Sequence, residues 1–476
     1  MVDIFTYIDL GFLAFFLVFF ATFLYTHKKN LKKEGLMFLY RTSWGVKLIE
    51  TVGRKYKRTL KTLSYVSIAV GYLLTIGVLY LVYTIIKIYL FNPLVVRAIK
   101  IPPILPLVPY LPQVFKLSFL PPFYFTYWIV ILAVIAIPHE FFHGIFMRRY
   151  NIKIKTTGFA FIPWFFPILP AAFVEQDEKS FMKAKKFDQM ASLSAGTFAN
   201  VLTAIVVFFI LWGFFAAAFS PAGVIFDSYA TVPVNVAGIT AINGTIVQTA
   251  NYTNMVSLVN SNGLTNLTYE GQNYIATKSM LENQAGNNGT IVVYFSAPAV
   301  ENNLESTITR FNGVEVKNID QLSEQILRYS PGQTVNVTTE TENGPITRSI
   351  MLGSRPDNSS LAWLGIGFYN SNTGNIVGKI EQAVSFKKPH VYYAPELGSF
   401  GIFIYNLLWW TVLICISVAL INMLPMGIFD GGRFFYLTVL GITKNEKVAE
   451  RSYKVMTWFF LFVLLLLMIA WALAFL

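Results

Sequence analysis

Long apolar stretches alternate with polar segments along the chain, and this alternation predicts where the chain crosses a membrane. Six stretches reach the roughly 20 residues that a helix needs to span the core of a bilayer. The first has acidic residues at its front and no small-residue cleavage site after it, so we expect a retained span and not a signal peptide. The predicted transmembrane helices lie near residues 7–26, 63–91, 123–147, 190–218, 396–424 and 455–476.

Two further apolar segments are too rich in proline to form spanning helices. Residues 93–122 are expected to form a loop or hairpin at the outer surface. Residues 156–176 contain Pro163, Pro167 and Pro170. Irregular backbone is tolerated at membrane depth only inside protein or beside water, so this segment predicts a re-entrant strand or hairpin that enters from the cytoplasmic side.

The segment between the fourth and fifth spans is a soluble, strand-rich insertion of residues 221–388, with Asn, Thr, Ser, Val and Gly as its typical residues. Alternating strands at 334–339 and 346–352 flank Asn343-Gly344, which predicts a β-hairpin. One helix is expected in the sequence NIDQLSEQILRY.

The second half of this insertion, residues 296–369, resembles a PDZ domain in its order of strands, turns and helix. The sequence LGIGF at 364–368 is similar to the carboxylate-binding loop of such domains, placed late as in circular permutants. The first half is either a degenerate second copy or an insertion into the same domain, and the sequence leaves both open.

Composition supports the membrane class. Of 476 residues, 55% are hydrophobic and only 13% charged, with a mean hydropathy of +0.54, whereas soluble domains have about 25% charged residues. The net charge of +12 does not indicate a nucleic-acid partner, because the basic residues cluster beside the spans, as in 27–61. Such loops stay cytoplasmic. We therefore expect both termini and residues 221–388, which hold six Asn-x-Ser/Thr sequons, to be extracytoplasmic.

The third predicted span ends in HEFFH, a pattern typical of zinc peptidases. His139 and His143 share a helix face and can bind one metal ion, while Glu140 lies beside them as a general base. The alternative, two packing histidines with a neutral glutamate, would bury three ionisable groups at a high cost in free energy. With one cysteine, Cys415, the chain has no cysteine-based metal site.

A catalytic zinc ion requires a third protein ligand, and we expect Asp430 to be that ligand. It follows the fifth span, which runs inward like the third, so it reaches a similar depth. His27 and His390 lie elsewhere in the predicted topology. Taken alone, the Asp-Gly-Gly sequence would indicate a turn with a solvated aspartate. We prefer a metal ligand here, because the site needs a third ligand at the membrane depth of the two histidines.

HExxH together with Asn422-x-x-Pro425-x-x-x-x-Asp430-Gly431 resembles the site-2 protease family of intramembrane metalloproteases, over residues 123 to about 440. AAFVE (171–175) and AGTFAN (195–200) are similar to further family motifs, from which Ala171 and Thr197 depart. The resemblance implies zinc ligands His139, His143 and Asp430, the base Glu140, and first two spans peripheral to the core. It also suggests residues that bind the substrate or orient the site: Asn422, Pro425, Gly431, Phe173, Val174 and Asn200.

The expected fold class is a polytopic α-helical membrane protein of about six transmembrane helices with an inserted extracytoplasmic β-rich, PDZ-like domain. The predicted parts are the two N-terminal helices with a basic loop and an outer proline-rich segment (1–122), the first half of the protease core (123–220), the PDZ-like domain (221–388), the second half of the core (389–440), and a cytoplasmic turn with the last helix (441–476).

The predicted function is zinc-dependent hydrolysis of peptide bonds within transmembrane segments of proteins already trimmed by another protease, in contact with membrane lipid. An archaeal plasma membrane is the expected location. Two alternatives remain: a membrane metalloprotease with a glutamate ligand that acts on loops or termini, and a non-proteolytic receptor or transporter with a PDZ-like sensor. In the latter, the His-Glu-His cluster would relay protons.

Overall fold

The computed structural model describes the chain except for residues 1–3, 36, 44, 93–94, 98–101, 104–106, 118, 163–168, 248–257, 261–262, 283, 285–288, 342, 370–377, 380–384 and 474–476. Six described helices are long and apolar enough to cross a membrane, and they coincide with the six predicted apolar segments. They are α1 (Ile4–Thr26), α3 (Lys57–Phe91), α5 (Phe125–Arg149), α7 (Lys186–Ala218), α11 (Gly398–Asn422) and α13 (Glu446–Leu473).

Shorter helices connect these spans or belong to the inserted segment. One of them, α12, begins at Asp430, eight residues after α11 ends, so the two helices are separated by a short irregular segment that contains Pro425. The shorter helices are α2 (Val46–Lys55), α4 (Leu111–Val114), α6 (Glu178–Lys183), α8 (Lys278–Glu282), α9 (Pro298–Glu301), α10 (Ile319–Ile326) and α12 (Asp430–Thr443).

The proline-containing segment after α5 forms the expected hairpin, in which β3 (Ile154–Ile162) pairs antiparallel with β4 (Leu169–Gln176). Pro163 and Pro167, which lie between the two strands in the sequence, are outside the described residues. The hairpin has a partner that the sequence did not reveal: β1 (Leu31–Glu34) and β2 (Met37–Thr42), from the basic loop after α1, extend it to the order β1-β2-β3-β4. Strand β4 therefore lies at an edge of this sheet.

The chain divides into two compact units, residues 1–215 with 402–476, and residues 216–401. In the first unit, α3 approaches the helices of the protease core closely at one glycine. Gly71 in α3 lies against the side chains of Ser194, Met423 and Phe434, where a Cβ atom would be 3.2 Å from each. Both N-terminal spans are nevertheless the least buried of the six described membrane-length helices, so the expectation that they are peripheral stays a prediction.

The described residues of the second unit form two large hydrophobic cores and a small cluster of Ile275, Ala297 and Val300. One core includes Val224 and Phe226 from the start of the insertion together with Ile308 and Leu364 from its later part. Its strands are β5 (Phe219–Ile225), β6 (Ser228–Tyr229), β13 (Thr307–Phe311), β14 (Val314–Glu315), β15 (Thr334–Thr341), β16 (Gly344–Met351), β17 (Gly353–Arg355), β18 (Asn358–Trp363), β19 (Ile366–Gly367) and β20 (Val391–Pro395). Strands β15 and β16 form the predicted hairpin.

The other core belongs to residues between β6 and β13. It is built on a six-stranded sheet of order β7-β12-β11-β10-β8-β9. Because the chain on both sides of this sheet contributes to the first core, the sheet is an insertion into that core. The strands are β7 (Thr231–Asn235), β8 (Ile239–Ile242), β9 (Thr245–Ile246), β10 (Leu264–Tyr269), β11 (Gln272–Thr277) and β12 (Thr290–Phe295).

Candidate active site

Three potential metal ligands from two helices converge inside the first unit. Their ligand atoms all lie within 4.8 Å of one another. On α5, the Nε2 atoms of His139 and His143 are 3.0 Å apart, since residues four apart share a helix face. The Oδ2 atom of Asp430 is 3.5 Å from the first nitrogen and 3.2 Å from the second. The structure thus brings together the three residues predicted as ligands.

Asp430 reaches this position because two glycines allow α12 to begin against other backbone. A Cβ atom on Gly431 would lie 2.3 Å from the carbonyl carbon of Met423, and one on Gly432 would lie 2.1 Å from the carbonyl oxygen of Met426. Neither neighbour is a flexible side chain that could move away. The Asp-Gly-Gly sequence is therefore a packing requirement that places the carboxylate beside the histidines.

The second nitrogen of each histidine has a partner on α7. Nδ1 of His143 lies 2.7 Å from the carbonyl oxygen of Ser192, so it carries the proton and donates it there. This leaves Nε2 with a lone pair that faces Asp430 and His139.

The corresponding partner of His139 is the side-chain amide of Asn200, whose Nδ2 position is 3.1 Å from Nδ1 of the histidine. The Oδ1 position of the same amide is buried without a hydrogen bond. Amide orientations are assigned from the hydrogen-bond network. Turning the amide lets Oδ1 accept the proton of Nδ1 and leaves Nε2 of His139 with its lone pair. Asn200, predicted to orient the site, thus contacts a predicted ligand directly.

Gly196 on α7 was missed as a site residue, although it lies within the AGTFAN motif. A Cβ atom there would be 2.3 Å from Nε2 of His143 and 2.6 Å from Nε2 of His139. The helix therefore passes directly against the metal-facing nitrogens, and no larger residue fits without displacing an imidazole.

Glu140 faces the strand β4. Its Oε2 atom accepts a hydrogen bond of 2.9 Å from the backbone N–H of Val174. Val174 was predicted as a substrate-binding residue, and in this structure its N–H holds the predicted general base.

Glu175, the last residue of AAFVE, holds the C-terminal end of β4 in place. Its Oε2 accepts from Nε of Arg41 on β2 at 3.0 Å and from the hydroxyl of Thr156 at 3.2 Å. Partial burial alone would raise the pKa of Glu175, but the bonds from Arg41 and Thr156 outweigh it and lower that pKa below its ordinary value. The carboxylate thus stays ionised and connects β4 to both β2 and β3.

The remaining predicted site residues are Phe173, Pro425 and Asn422. Phe173 on β4 places its ring against Gly158 of β3, with a ring atom 2.8 Å from where a Cβ would be. Pro425 is buried between α11 and α12, and Asn422 is the last residue of α11, partly buried. Among the described residues, the Asn422 side chain makes no hydrogen bond, so its predicted contact with substrate stays a prediction.

The donor cluster has the dimensions of a zinc site. A tetrahedral zinc ion with bonds of about 2.0–2.1 Å holds its ligands about 3.3 Å apart. The three distances of 3.0, 3.2 and 3.5 Å lie around that value. Two imidazoles with inward lone pairs and one carboxylate leave a fourth position for water or substrate, as in catalytic sites.

Membrane-length helices that carry a His-Glu-x-x-His face and a convergent aspartate define a membrane metallopeptidase. In agreement, the family model of peptidase family M50 matches residues 127–468, and the chain belongs to this family, the site-2 protease family. A comparison with curated proteins gave no match.

Proposed function

We propose that this protein is an intramembrane zinc endopeptidase that hydrolyses peptide bonds within transmembrane segments of other proteins. The observation that supports it most directly is the convergence of His139, His143 and Asp430 with Glu140 adjacent, on helices that belong to a membrane-spanning unit. The archaeal plasma membrane remains our proposed location.

The three ligands would hold one zinc ion, which supplies polarisation of the scissile carbonyl and lowers the pKa of a bound water to about 7. Glu140 accepts the proton of the attacking water and then donates it to the leaving amine. Ser192 and Asn200 fix the orientation of the two imidazoles. The surrounding helices limit the access of bulk water.

A transmembrane helix must unwind before its peptide bonds can be attacked, because its backbone groups are paired within the helix. We propose that the unwound segment pairs with the edge of β4, where outward-facing backbone groups could receive it. An apolar cavity of about 510 Å³ lies against this hairpin and supports the route. Phenylalanines of α1 and residues of α5 line it together with Phe159 and Phe161 of β3 and Pro170, Ala171 and Ala172 of β4. An apolar segment in this cavity would pack against the hairpin that contains β4.

We further propose that both termini and residues 221–388 are extracytoplasmic and that the active site lies towards the cytoplasmic side. The inserted segment would then admit only substrates whose outer part has been trimmed, or its LGIGF segment would bind a newly formed C-terminus. Deletion of residues 221–386 distinguishes these ideas: a filter predicts that untrimmed substrates become cleavable, and substrates that stay uncut would contradict it.

The proposed activity is tested with the purified full-length protein in lipid nanodiscs and a fluorescently labelled single-span substrate. Cleavage within the span, mapped by mass spectrometry, is expected for the parent protein. Cleavage should be lost in Glu140→Gln, which retains a side chain of the same size but cannot accept the proton. Cleavage only in loops or termini would favour a different peptidase specificity, and equal cleavage by Glu140→Gln would refute the mechanism.

A further inference from the structure

The carboxylate of Glu140 is held by a strand and not by its own helix. Among the described residues, the N–H of Val174 is its one hydrogen-bond donor, at 2.9 Å. A glutamate side chain has several rotatable bonds, so a general base on a helix needs a further contact to keep one orientation. The backbone of β4 provides that contact here.

The pairing of β4 shows which of its backbone groups face outward. Val174 lies opposite Thr157 in the antiparallel ladder with β3, and its N–H points to Glu140 and therefore away from β3. Backbone direction alternates along a strand. Ala172 and Pro170 thus have the same outward direction, with no register shift between them and Val174. Pro170 has no N–H, which leaves Val174 and Ala172 as the outward donors of this stretch.

We propose that the N–H of Val174 is a positioning group for the catalytic base, and that a substrate strand therefore pairs with β4 from Ala172 onward. Two adjacent outward donors of one strand then have different roles. Val174 orients the carboxylate that moves the proton, and Ala172 binds the substrate backbone. This inference deepens the proposed peptidase function and rests on it.

The two roles predict different kinetic effects when each N–H is removed. Substitution of Val174 by proline removes the bond to Glu140, so kcat should fall about 10- to 100-fold, a part of what a general base contributes, while KM changes less than about twofold. The matched substitution Ala172→Pro removes a donor of the same direction from the same strand. It should raise KM about 2- to 10-fold, the value of one hydrogen bond, and change kcat little.

The outer edge of β4 can accept proline, because Pro170 already occupies a position of this strand whose backbone nitrogen faces outward. A second variant avoids the restrained φ of proline: an ester in place of the amide at residue 174, introduced as α-hydroxyvaline by nonsense suppression, removes the N–H alone. Zinc content equal to that of the parent establishes that each variant is folded at the metal site.

The hydrogen bond from Val174 to Glu140 can also be tested in the protein without substrate, by a measurement that does not depend on cleavage. In protein labelled with ¹⁵N-valine, the amide proton of Val174 should move upfield in Glu140→Ala, while that of Val224 in the other unit stays unchanged. An unchanged Val174 resonance would overturn the proposal. So would a rise in KM without a fall in kcat for both Val174→Pro and the ester. If the parent protein cleaves no transmembrane substrate, the proposed function fails, and the resonance still decides whether Val174 holds Glu140.

Discussion

At the scale of single residues, the centre depends on Gly196, a position without a side chain. We expect Gly196→Ala to displace the imidazoles, because its Cβ would lie 2.3 Å from Nε2 of His143. Bound zinc, measured by inductively coupled plasma mass spectrometry, should fall to a small fraction of the parent value. Gly213→Ala on the same helix is the matched control, because nothing lies within 4 Å of its added Cβ. Full zinc occupancy in Gly196→Ala would contradict the packing described for α7.

Asn200 gives a second prediction at this scale. Removing its amide in Asn200→Ala leaves Nδ1 of His139 without a buried partner, so zinc affinity should fall about 10- to 100-fold. Competition with a chromophoric chelator measures this affinity. Asn200→Asp, which keeps an acceptor oxygen, should restore most of it, and an affinity equal to that of the parent in Asn200→Ala would show that the contact is not functional.

The sequence predicted the catalytic side chains better than the backbone contacts around them. His139, Glu140 and His143 follow from helical spacing, and Asp430 from the need for a third ligand at matching depth. The role of Gly196 did not follow, because the approach of one helix to another depends on packing that no periodic pattern encodes. The bond from Val174 to Glu140 joins residues 34 positions apart and was equally invisible.

At the scale of secondary-structure elements, the position of β4 depends on the strands behind it. Gly158 in β3 lies so close to β2 that a Cβ would be 2.3 Å from the carbonyl oxygen of Tyr40. Gly158→Ala should therefore weaken the pairing of β2 with β3 and displace Phe173, with reduced cleavage and faster hydrogen exchange in β3. Gly11→Ala in α1, with open space around its Cβ, is the control. Parent-like exchange in Gly158→Ala would contradict the close approach.

Asp9 connects the helices α1 and α5 through hydrogen bonds. Its carboxylate, 2% exposed, accepts from the N–H groups of Phe125 and Thr126 at 2.7 Å each, and so caps α5 from α1. Asp9→Ala leaves those buried donors unpaired and should lower the free energy of unfolding by about 1–3 kcal/mol. Thermal unfolding in detergent measures the change. The exposed residue Thr22 of the same helix, changed to alanine, should have little effect, and an equal loss from both would argue against the cap.

The sequence predicted the β3–β4 hairpin but not its partner strands. The prolines in 156–176 exclude a spanning helix, and the apolar residues indicate that the segment lies at membrane depth. A buried strand or hairpin was the structure that fitted both features. Strands β1 and β2 lie in a strongly basic loop, and their alternation is short. The pairing of β2 with β3 places Phe38 opposite Phe161, a long-range contact that local pattern does not reveal.

At the scale of the whole molecule, hydropathy alone predicted the number of spans, because a bilayer requires a long apolar helix for each crossing. The two cores of the inserted segment were harder to predict. Hydrophobic and polar residues alternate along the strands in the same way in both halves of the segment. This alternation distinguishes strands from helices, but it does not show which strands share a core.

The proposed orientation gives a prediction at this scale. Single cysteines placed at the exposed positions Lys29 and Asn358, in a Cys415→Ala background, should differ in their reaction with a membrane-impermeant maleimide. In intact cells, Asn358→Cys should be labelled, and Lys29→Cys only after permeabilisation, because basic loops stay cytoplasmic. The reverse labelling pattern would contradict the orientation.

The central claim is that His139, His143 and Asp430 hold one zinc ion that serves peptide hydrolysis. The most direct test is the zinc content of the purified protein, compared with Asp430→Ala and Glu140→Gln. The account predicts about one zinc per chain in the parent and in Glu140→Gln, and a strong loss in Asp430→Ala. A parent protein that stays free of zinc after supplementation, or an Asp430→Ala variant that retains it, would contradict the account.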